Sequence, residues 1–307
     1  VLEADEYDTA FFDKQPKFMH YDPAITVLTS VEFDHADIYK DISHVKSAFD
    51  KFLAGISPES HLIAYDSDPN IDQLLAGKDI QVVRYGSREK SDWRLGDYSV
   101  NAPWLNFEVM AGDKFFGRFK APFVGVHNMH NALSAIAVGC RLGIAPTVLA
   151  DGLERFEGVK RRQEIRGVKN KITVIDDFAH HPTAVLETIQ AVRPFYRNGR
   201  LIAVFEPRTN TSMRKVFQDI YPGAFDAADM ICIRKPPLLS KIPEGERFSS
   251  EQLVSDLKRR GKDAHYFEDT DVIIDFLVGT VAPGDVVLVM SNSRADNIHS
   301  RVLGRLK

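Results

Sequence analysis

The 307 residues include only two cysteines, Cys140 and Cys232, both in apolar surroundings and not spaced as a pair. That excludes a disulfide framework, a cysteine zinc site and a dithiol redox motif, and it makes a reducing, cytoplasmic compartment the expected home. Long hydrophobic runs are missing as well: nothing approaches the roughly 20 apolar residues of a membrane span. Positive charge is not in excess, since 39 Lys and Arg face 43 Asp and Glu for a net charge of -4. Without a basic stripe no nucleic-acid partner is expected, and small anionic ligands must be held by local basic residues. No glycine-rich dinucleotide fingerprint follows a strand, which argues against nicotinamide chemistry, and no G-x-x-x-x-G-K-[ST] phosphate loop occurs anywhere. Internal repeats and low-complexity segments are absent too.

What is present is an ordinary globular composition, 44% hydrophobic and 27% charged, in a chain long enough for two domains. The most informative stretch is Val31-Glu32-Phe33-Asp34-His35-Ala36-Asp37, which crowds three carboxylates and one imidazole directly after the apolar run 25–30. A short β-branched run of this kind reads as a buried parallel strand, and ligands of α/β sheets bind at the C-terminal ends of such strands. Carboxylates with an imidazole suit a hard divalent cation such as Mg²⁺, which usually also holds substrate phosphates. A solvated acidic loop capping the next helix is the plainer reading of the same residues.

Along the chain, Asp41 can cap a helix over 42–53, followed by a strand at 61–65, a helix at 68–75 and a strand at 80–85, the alternation of a parallel sheet. From 93 to 120 the pattern becomes alternating segments broken by turn signals, which reads as an antiparallel meander. An amide-rich turn, Gly125-Val126-His127-Asn128-Met129-His130-Asn131, opens a helix, and a second helix is expected over 147–156. A new β/α series then starts, with strands at 172–175, 201–205, 230–233, near 264–266 and 286–290, so the fold class is α/β with a doubly wound, Rossmann-like second domain. The domains are expected to be 1–165 and 166–307. Residues 1–6 read as the tail of a strand running into an acidic loop, so more chain is expected upstream.

Five local sequences, Glu3-Ala-Asp-Glu-Tyr-Asp, Phe33-Asp-His-Ala-Asp, Gly125-Val-His-Asn-Met-His-Asn-Ala, Arg161-Arg162 and Asp176-Asp-Phe-Ala-His-His-Pro-Thr, together resemble the signatures of the Mur ligase family. The resemblance covers nearly the whole chain and implies a P-loop-NTPase-like, mixed-sheet central domain lacking its P-loop part, followed by the Rossmann-like ligase domain that receives the incoming amino acid or peptide. It implies ATP and Mg²⁺ as cofactors and an acyl phosphate that an amine attacks, in bacterial peptidoglycan synthesis and cell-wall recycling. The segments 6–14 and 205–211 are most similar to the branch that joins UDP-N-acetylmuramate to the tripeptide L-alanyl-γ-D-glutamyl-meso-diaminopimelate. The alanine-adding branch, which usually has Tyr at the place of Phe178, is the alternative. A non-catalytic binding remnant is a second alternative, and a folate polyglutamate ligase is a third that does not share the 176–183 pattern.

By resemblance, Glu3 and His35 are Mg²⁺ ligands, with Asp34 and Asp37 as outer carboxylates. His127, Asn128 and Asn131 match the adenine-binding turn. Arg162 matches the arginine that reaches the ATP phosphates, Asp177 the acid that contacts the nucleotide, and His180 a residue near the incoming nucleophile. Arg161, beside Arg162, reads as a solvated charge. Phe178, Arg208 and Asn210 are expected at the peptide site, where a bidentate arginine suits a carboxylate. Each has a structural reading too: helix capping for His35, Asn128 and His181-Pro182, and a solvated loop charge for Arg208. Lys46 and Lys51 do not fall at the spacing of a carbamylated lysine, and Arg294 has no assigned role.

Overall fold

The structure, a computed structural model, describes residues 1–9, 11, 13–293 and 295–306. Ala10 and Phe12, in the segment compared above, and Arg294 lie outside the described residues. The chain divides into two compact units, Val1–Phe156 and Glu157–Lys307.

The first unit carries β1 (Ile25–Leu28), α1 (Ile42–Gly55), β2 (His61–Tyr65), α2 (Pro69–Leu75), β3 (Val82–Gly86), β4 (Trp93–Asn101), β5 (Trp104–Ala111), β6 (Lys114–Ala121), α3 (Val126–Arg141) and α4 (Pro146–Glu154). Its strands follow sequence order across one sheet, parallel from β1 to β4 and antiparallel from β4 to β6. The caps are local: Asp41 accepts from the His44 N–H and starts α1, and Asp68 accepts from Asn70 and Ile71 and starts α2. Val45, Phe49 and Leu53 of α1 pack with Leu28, Leu62, Ala64, Ile71 and Leu74 into one core. Both tryptophans of the chain, Trp93 and Trp104, open strands of the meander.

One expectation changes here. The 25–30 run is not a strand buried on both faces, because only Leu28 is buried and Val27 is 37% exposed. Among the described residues β1 pairs with β2 alone, so one of its long edges has no strand beside it. β-Branched composition reports a preference for extended backbone and says nothing about how many neighbours the strand finds.

The second unit carries β7 (Glu164–Lys169), β8 (Ile172–Asp177), α5 (Pro182–Val192), β9 (Leu201–Phe205), α6 (Tyr221–Ala224), β10 (Met230–Arg234), α7 (Ser250–Arg259), β11 (Asp263–Phe267), α8 (Thr270–Thr280), β12 (Val286–Met290) and α9 (Ile298–Arg305). Its sheet runs β11-β10-β9-β12-β8-β7 and is parallel except for β7, which lies antiparallel to β8. Every residue of β8, β9 and β12 is buried, which is why these strands read as unbroken apolar runs. Val174, Ile202, Val204, Val287 and Val289 face Ile273, Leu277, Ile298 and Val302 across one sheet surface. β7 holds Glu164, Arg166 and Lys169 and buries none of its residues, so it carries no hydrophobic pattern. The 165/166 boundary expected from the sequence falls inside this strand, while the division between the units precedes it.

Candidate active site

In the first unit the carboxylate-rich loop is built from α2 outward. Asp68 Oδ2 accepts the Val31 N–H at 2.7 Å while Asn70 Nδ2 donates to the Val31 carbonyl at 2.8 Å, so both backbone groups of Val31 are held from the helix start. His35 has a left-handed backbone (φ 53°), donates its N–H to Asp34 Oδ1 at 2.7 Å and accepts at its carbonyl from Ile38 and Tyr39. Its imidazole packs edge-on to Tyr7, with ring centroids 4.7 Å apart, and its Nε2 lies 3.5 Å from Glu6 Oε1. Burial raises the Glu6 carboxyl above the usual range, against its own backbone N–H and the facing His35. Tyr39, pushed up to about 12 by burial, donates to the Glu6 carbonyl at 2.8 Å, and Tyr7 donates to Asp37 Oδ2 at 3.0 Å.

The carboxylate beside His35 is therefore that of Glu6, whereas Glu3 is exposed near the chain start. Among the described residues no group of three or more His, Cys, Asp or Glu side chains converges as a metal cage. The donor chemistry nevertheless fits Mg²⁺, which keeps several waters and takes one or two protein carboxylates plus phosphate oxygens.

At the start of α3, Gly125 (φ 96°) makes a turn that a residue with a Cβ would strain. Asn128 Nδ2 donates to the Val124 carbonyl at 2.7 Å, and Asn131, exposed, donates to Asn128 Oδ1 at 3.3 Å. The Asn128 amide thus binds its own chain here, while His127 stands half-buried beside it. On the same helix His130 Nε2 lies 2.9 Å from Ser87 Oγ.

In the second unit the C-terminal ends of β8, β9 and β12 bring distant residues together. Asp177, 2% exposed, accepts the Gln163 N–H at 2.8 Å, the Ala179 N–H at 2.7 Å and the Thr188 hydroxyl at 3.3 Å. Burial raises its pKa, and the backbone donors and Arg162 pull it back. Asp176, one residue earlier, points to the other sheet face, 3.5 Å from Arg161 Nε and 3.4 Å from His299 Nε2, and burial raises its pKa too. The same burial, with the positive charges of Arg166 and Arg161, pushes His299 down to about 4 and keeps it neutral.

The Phe178 ring lies under two guanidinium groups, Arg161 at 5.1 Å and Arg162 at 5.3 Å, and meets the His180 ring edge-on at 5.5 Å. Arg162 is exposed and so able to reach a ligand phosphate. His180 Nδ1 sits 3.0 Å from the Phe178 carbonyl, and the Tyr221 hydroxyl donates to the His180 carbonyl. His181 caps α5 ahead of Pro182, as the H-H-P-T pattern suggests.

Arg208 is half-buried, 3.6 Å from Glu206 Oε1, and Asn210 is exposed. Glu206 is a residue the sequence did not single out. It is 2% exposed, accepts from the Ser291 and Ser293 hydroxyls at 2.8 Å each, and pairs with Arg234, which also bridges to Asp296 at 3.0 Å. Position just after an unbroken apolar strand, shared by Glu206 and Ser291, is the signal that could have found them. Arg161 departs from expectation. It is not solvated: it donates to the backbone carbonyls of Ser291, Asn292 and Ser293.

Residues 1–139 match the Mur ligase middle domain and residues 161–293 the Mur ligase glutamate ligase domain. The chain is 37% identical over 308 residues to the UDP-N-acetylmuramate–L-alanyl-γ-D-glutamyl-meso-2,6-diaminoheptandioate ligase of Escherichia coli (strain K12), covering 100% of this chain and 64% of that ligase. It is 34% identical over 300 residues to the UDP-N-acetylmuramate–L-alanine ligase of Caldanaerobacter subterraneus subsp. tengcongensis, covering 97% of this chain and 62% of the relative. The crystal structure of a murein peptide ligase from Psychrobacter arcticus superposes with a TM-score of 0.68 at 30% identity, over 99% of this chain and 62% of the other. The chain thus spans just under two thirds of the length of these relatives. With a mixed-sheet unit and a Rossmann-like unit that match these two domains in turn, the chain belongs to the Mur ligase family, of which it carries the middle and C-terminal domains.

Proposed function

We propose that this chain is the central and peptide-receiving part of an ATP-dependent ligase that joins the lactyl carboxylate of UDP-N-acetylmuramate to the tripeptide L-alanyl-γ-D-glutamyl-meso-diaminopimelate, in bacterial cell-wall recycling in the cytoplasm. The observation that carries it is that Asp177, with Arg162 beside it, and Glu206, with Arg208 beside it, lie at the C-terminal ends of the parallel strands β8 and β9, which flank β12 in one sheet, where α/β ligands bind. The 37% identity to the E. coli tripeptide ligase supports the choice of substrate.

In this reading Arg162 meets the ATP phosphates from its seat on Phe178, and Asp177 holds the segment beside it through the Gln163 N–H. His127, Asn128 and Asn131 receive the adenine. Glu3 and His35 would hold Mg²⁺, with the Glu6 carboxylate 3.5 Å from the imidazole and Asp34 and Asp37 in the same loop, and the ion would neutralise phosphate charge when bound. Arg208 and Asn210 take a distal carboxylate of the peptide, with His180 and Phe178 beside the incoming amine. The full-length enzyme supplies the P-loop and the UDP-sugar-binding segment.

A tripeptide has carboxylates that alanine lacks, and losing one charge-assisted hydrogen bond is worth about 1.5–3 kcal/mol. On the full-length enzyme kcat/KM for the tripeptide exceeds that for L-alanine, and Arg208→Ala narrows the gap by about 10-fold or more. A preference for alanine would move the enzyme to the alanine-adding branch, and an unchanged gap in Arg208→Ala would remove Arg208 from the peptide site.

A further inference from the structure

Arg161 sits next to the candidate phosphate arginine, but its own guanidinium is directed elsewhere. It donates to three consecutive carbonyls, those of Ser291, Asn292 and Ser293, while its Nε faces Asp176 at 3.5 Å and its guanidinium carbon lies 5.1 Å from the Phe178 ring centroid. A planar fork of five donors reaches all three carbonyls while its Nε edge stays toward Asp176, whereas a single ammonium on a flexible stem is a point charge without that fixed geometry.

Shortly after the residues it grips, the backbone is conformationally costly. Ala295, Asp296 and Asn297 take left-handed backbone angles in succession (φ 43°, 51° and 56°), and none is glycine. Such residues persist only where their surroundings over-determine them. The surroundings here are specific: the Ser291 N–H donates to the Asp177 carbonyl at 3.0 Å, and the Ala295 N–H to Ser293 Oγ at 3.0 Å. Asp296 pairs with Arg234 and accepts from the Thr270 hydroxyl at 2.9 Å.

This segment in turn holds Glu206. The Ser291 and Ser293 hydroxyls both donate to Oε1, the same oxygen that faces Arg208 at 3.6 Å. The path from Arg161 to Arg208 therefore runs through three carbonyls, two hydroxyls and one buried carboxylate.

We propose that Arg161 is a positioning residue that clamps residues 291–293 and, through Ser291, Ser293 and Glu206, sets the placement of Arg208 for the incoming peptide. The peptide half of this proposal rests on the ligase function proposed above; the clamp does not. It gives the two adjacent arginines different tasks, Arg162 toward the nucleotide and Arg161 toward the acceptor.

Two measurements test it. In hydrogen exchange on this chain, Arg161→Lys and Arg161→Ala should lower protection of the Ser293 and Ala295 amides about 10-fold or more, while Val174 and Val204 in the strands keep theirs. Unchanged exchange at 293 and 295 overturns the clamp. In steady-state kinetics on the full-length enzyme, Arg161→Lys should raise KM for the tripeptide about 10-fold, with kcat and the KM for ATP within about twofold. Arg162→Ala should raise the KM for ATP instead. A rise in the KM for ATP in Arg161→Lys, without one for the peptide, makes Arg161 a nucleotide residue and sinks the proposal. Should Arg161→Ala not fold, Ser293→Ala cuts the same path from the other side and must show the same split; its absence counts against the proposal equally. A wild-type enzyme that does not use the tripeptide refutes the ligase reading and the peptide half together, and the exchange result then decides the clamp alone.

Discussion

His299 shows how a single buried side chain becomes a property of the whole chain. Its pKa is about 4 in the folded protein, against 6.5 for an ordinary histidine. Between those values the unfolded chain binds a proton that the folded chain does not, so stability falls as the pH drops from 6.5 toward 4. Asp176 and Asp177, raised by burial, act with the opposite sign, because the folded chain keeps their protons above pH 3.8. Comparing the wild type with His299→Gln separates the two effects. Between pH 7 and about 4.5 the wild type should lose about 2 kcal/mol more than the variant in urea unfolding. Equal losses would show that His299 is not held neutral. Nothing in the local sequence around Ile298-His299-Ser300 announces this, because Arg161, Arg166 and Asp176, which set the environment, are distant in the chain. Arg161 was misread for the same reason: its partners Ser291, Asn292 and Ser293 follow it by well over a hundred residues. The place of Asp177 at the end of β8, by contrast, was legible, since it follows an apolar run and opens the D-F-A-H-H-P-T pattern.

Among the elements, the start of α2 has two duties. Asp68 caps the helix and also binds the Val31 N–H that fixes the approach to His35. Asp68→Ala removes the cap and leaves Val31, 1% exposed, with an unpaired N–H, so a loss of about 2–3 kcal/mol is expected in denaturant unfolding. Asp68→Asn keeps one acceptor oxygen and should fall between. A variant as stable as wild type would mean that water replaces both bonds. Gly199, ahead of β9, is another constraint of this kind: a Cβ there would stand 1.8 Å from the Gly284 carbonyl oxygen. Because the obstruction is backbone, Gly199→Ala should cost about 1–3 kcal/mol, read as a lowered Tm. The cap at Asp41 and the fully buried strands β8, β9 and β12 were readable, since each depends on neighbours in sequence, whereas Asp68, expected inside the 68–75 helix, is its cap. β7 was not, because a polar edge strand has no pattern of its own, and the half-exposed state of β1 was not, because it depends on which strands lie beside it.

For the molecule entire, what the sequence lacks is as consequential as what it has. Without a G-x-x-x-x-G-K-[ST] loop the sequence offers no P-loop lysine for the transferred phosphate. The chain by itself should therefore release no phosphate from ATP above background in the presence of Mg²⁺, UDP-N-acetylmuramate and tripeptide. Turnover at ordinary ligase rates would contradict this. Family membership was legible from five short motifs, whereas the Glu206, Arg234, Ser291 and Ser293 network was not, since each of its members is unremarkable until the sheet brings them together.

The placement of Trp93 and Trp104 in the meander gives the chain a natural optical asymmetry. Trp93 meets the Phe116 ring edge-on at 4.9 Å, and the Lys120 ammonium lies 3.9 Å from the Trp104 ring centroid. Both indoles therefore sense the folding of the first unit and neither belongs to the second. Indole emission should follow the melting of one half of the chain only, while circular dichroism follows both. Any offset between the two curves would measure directly how far the halves unfold as separate cooperative blocks.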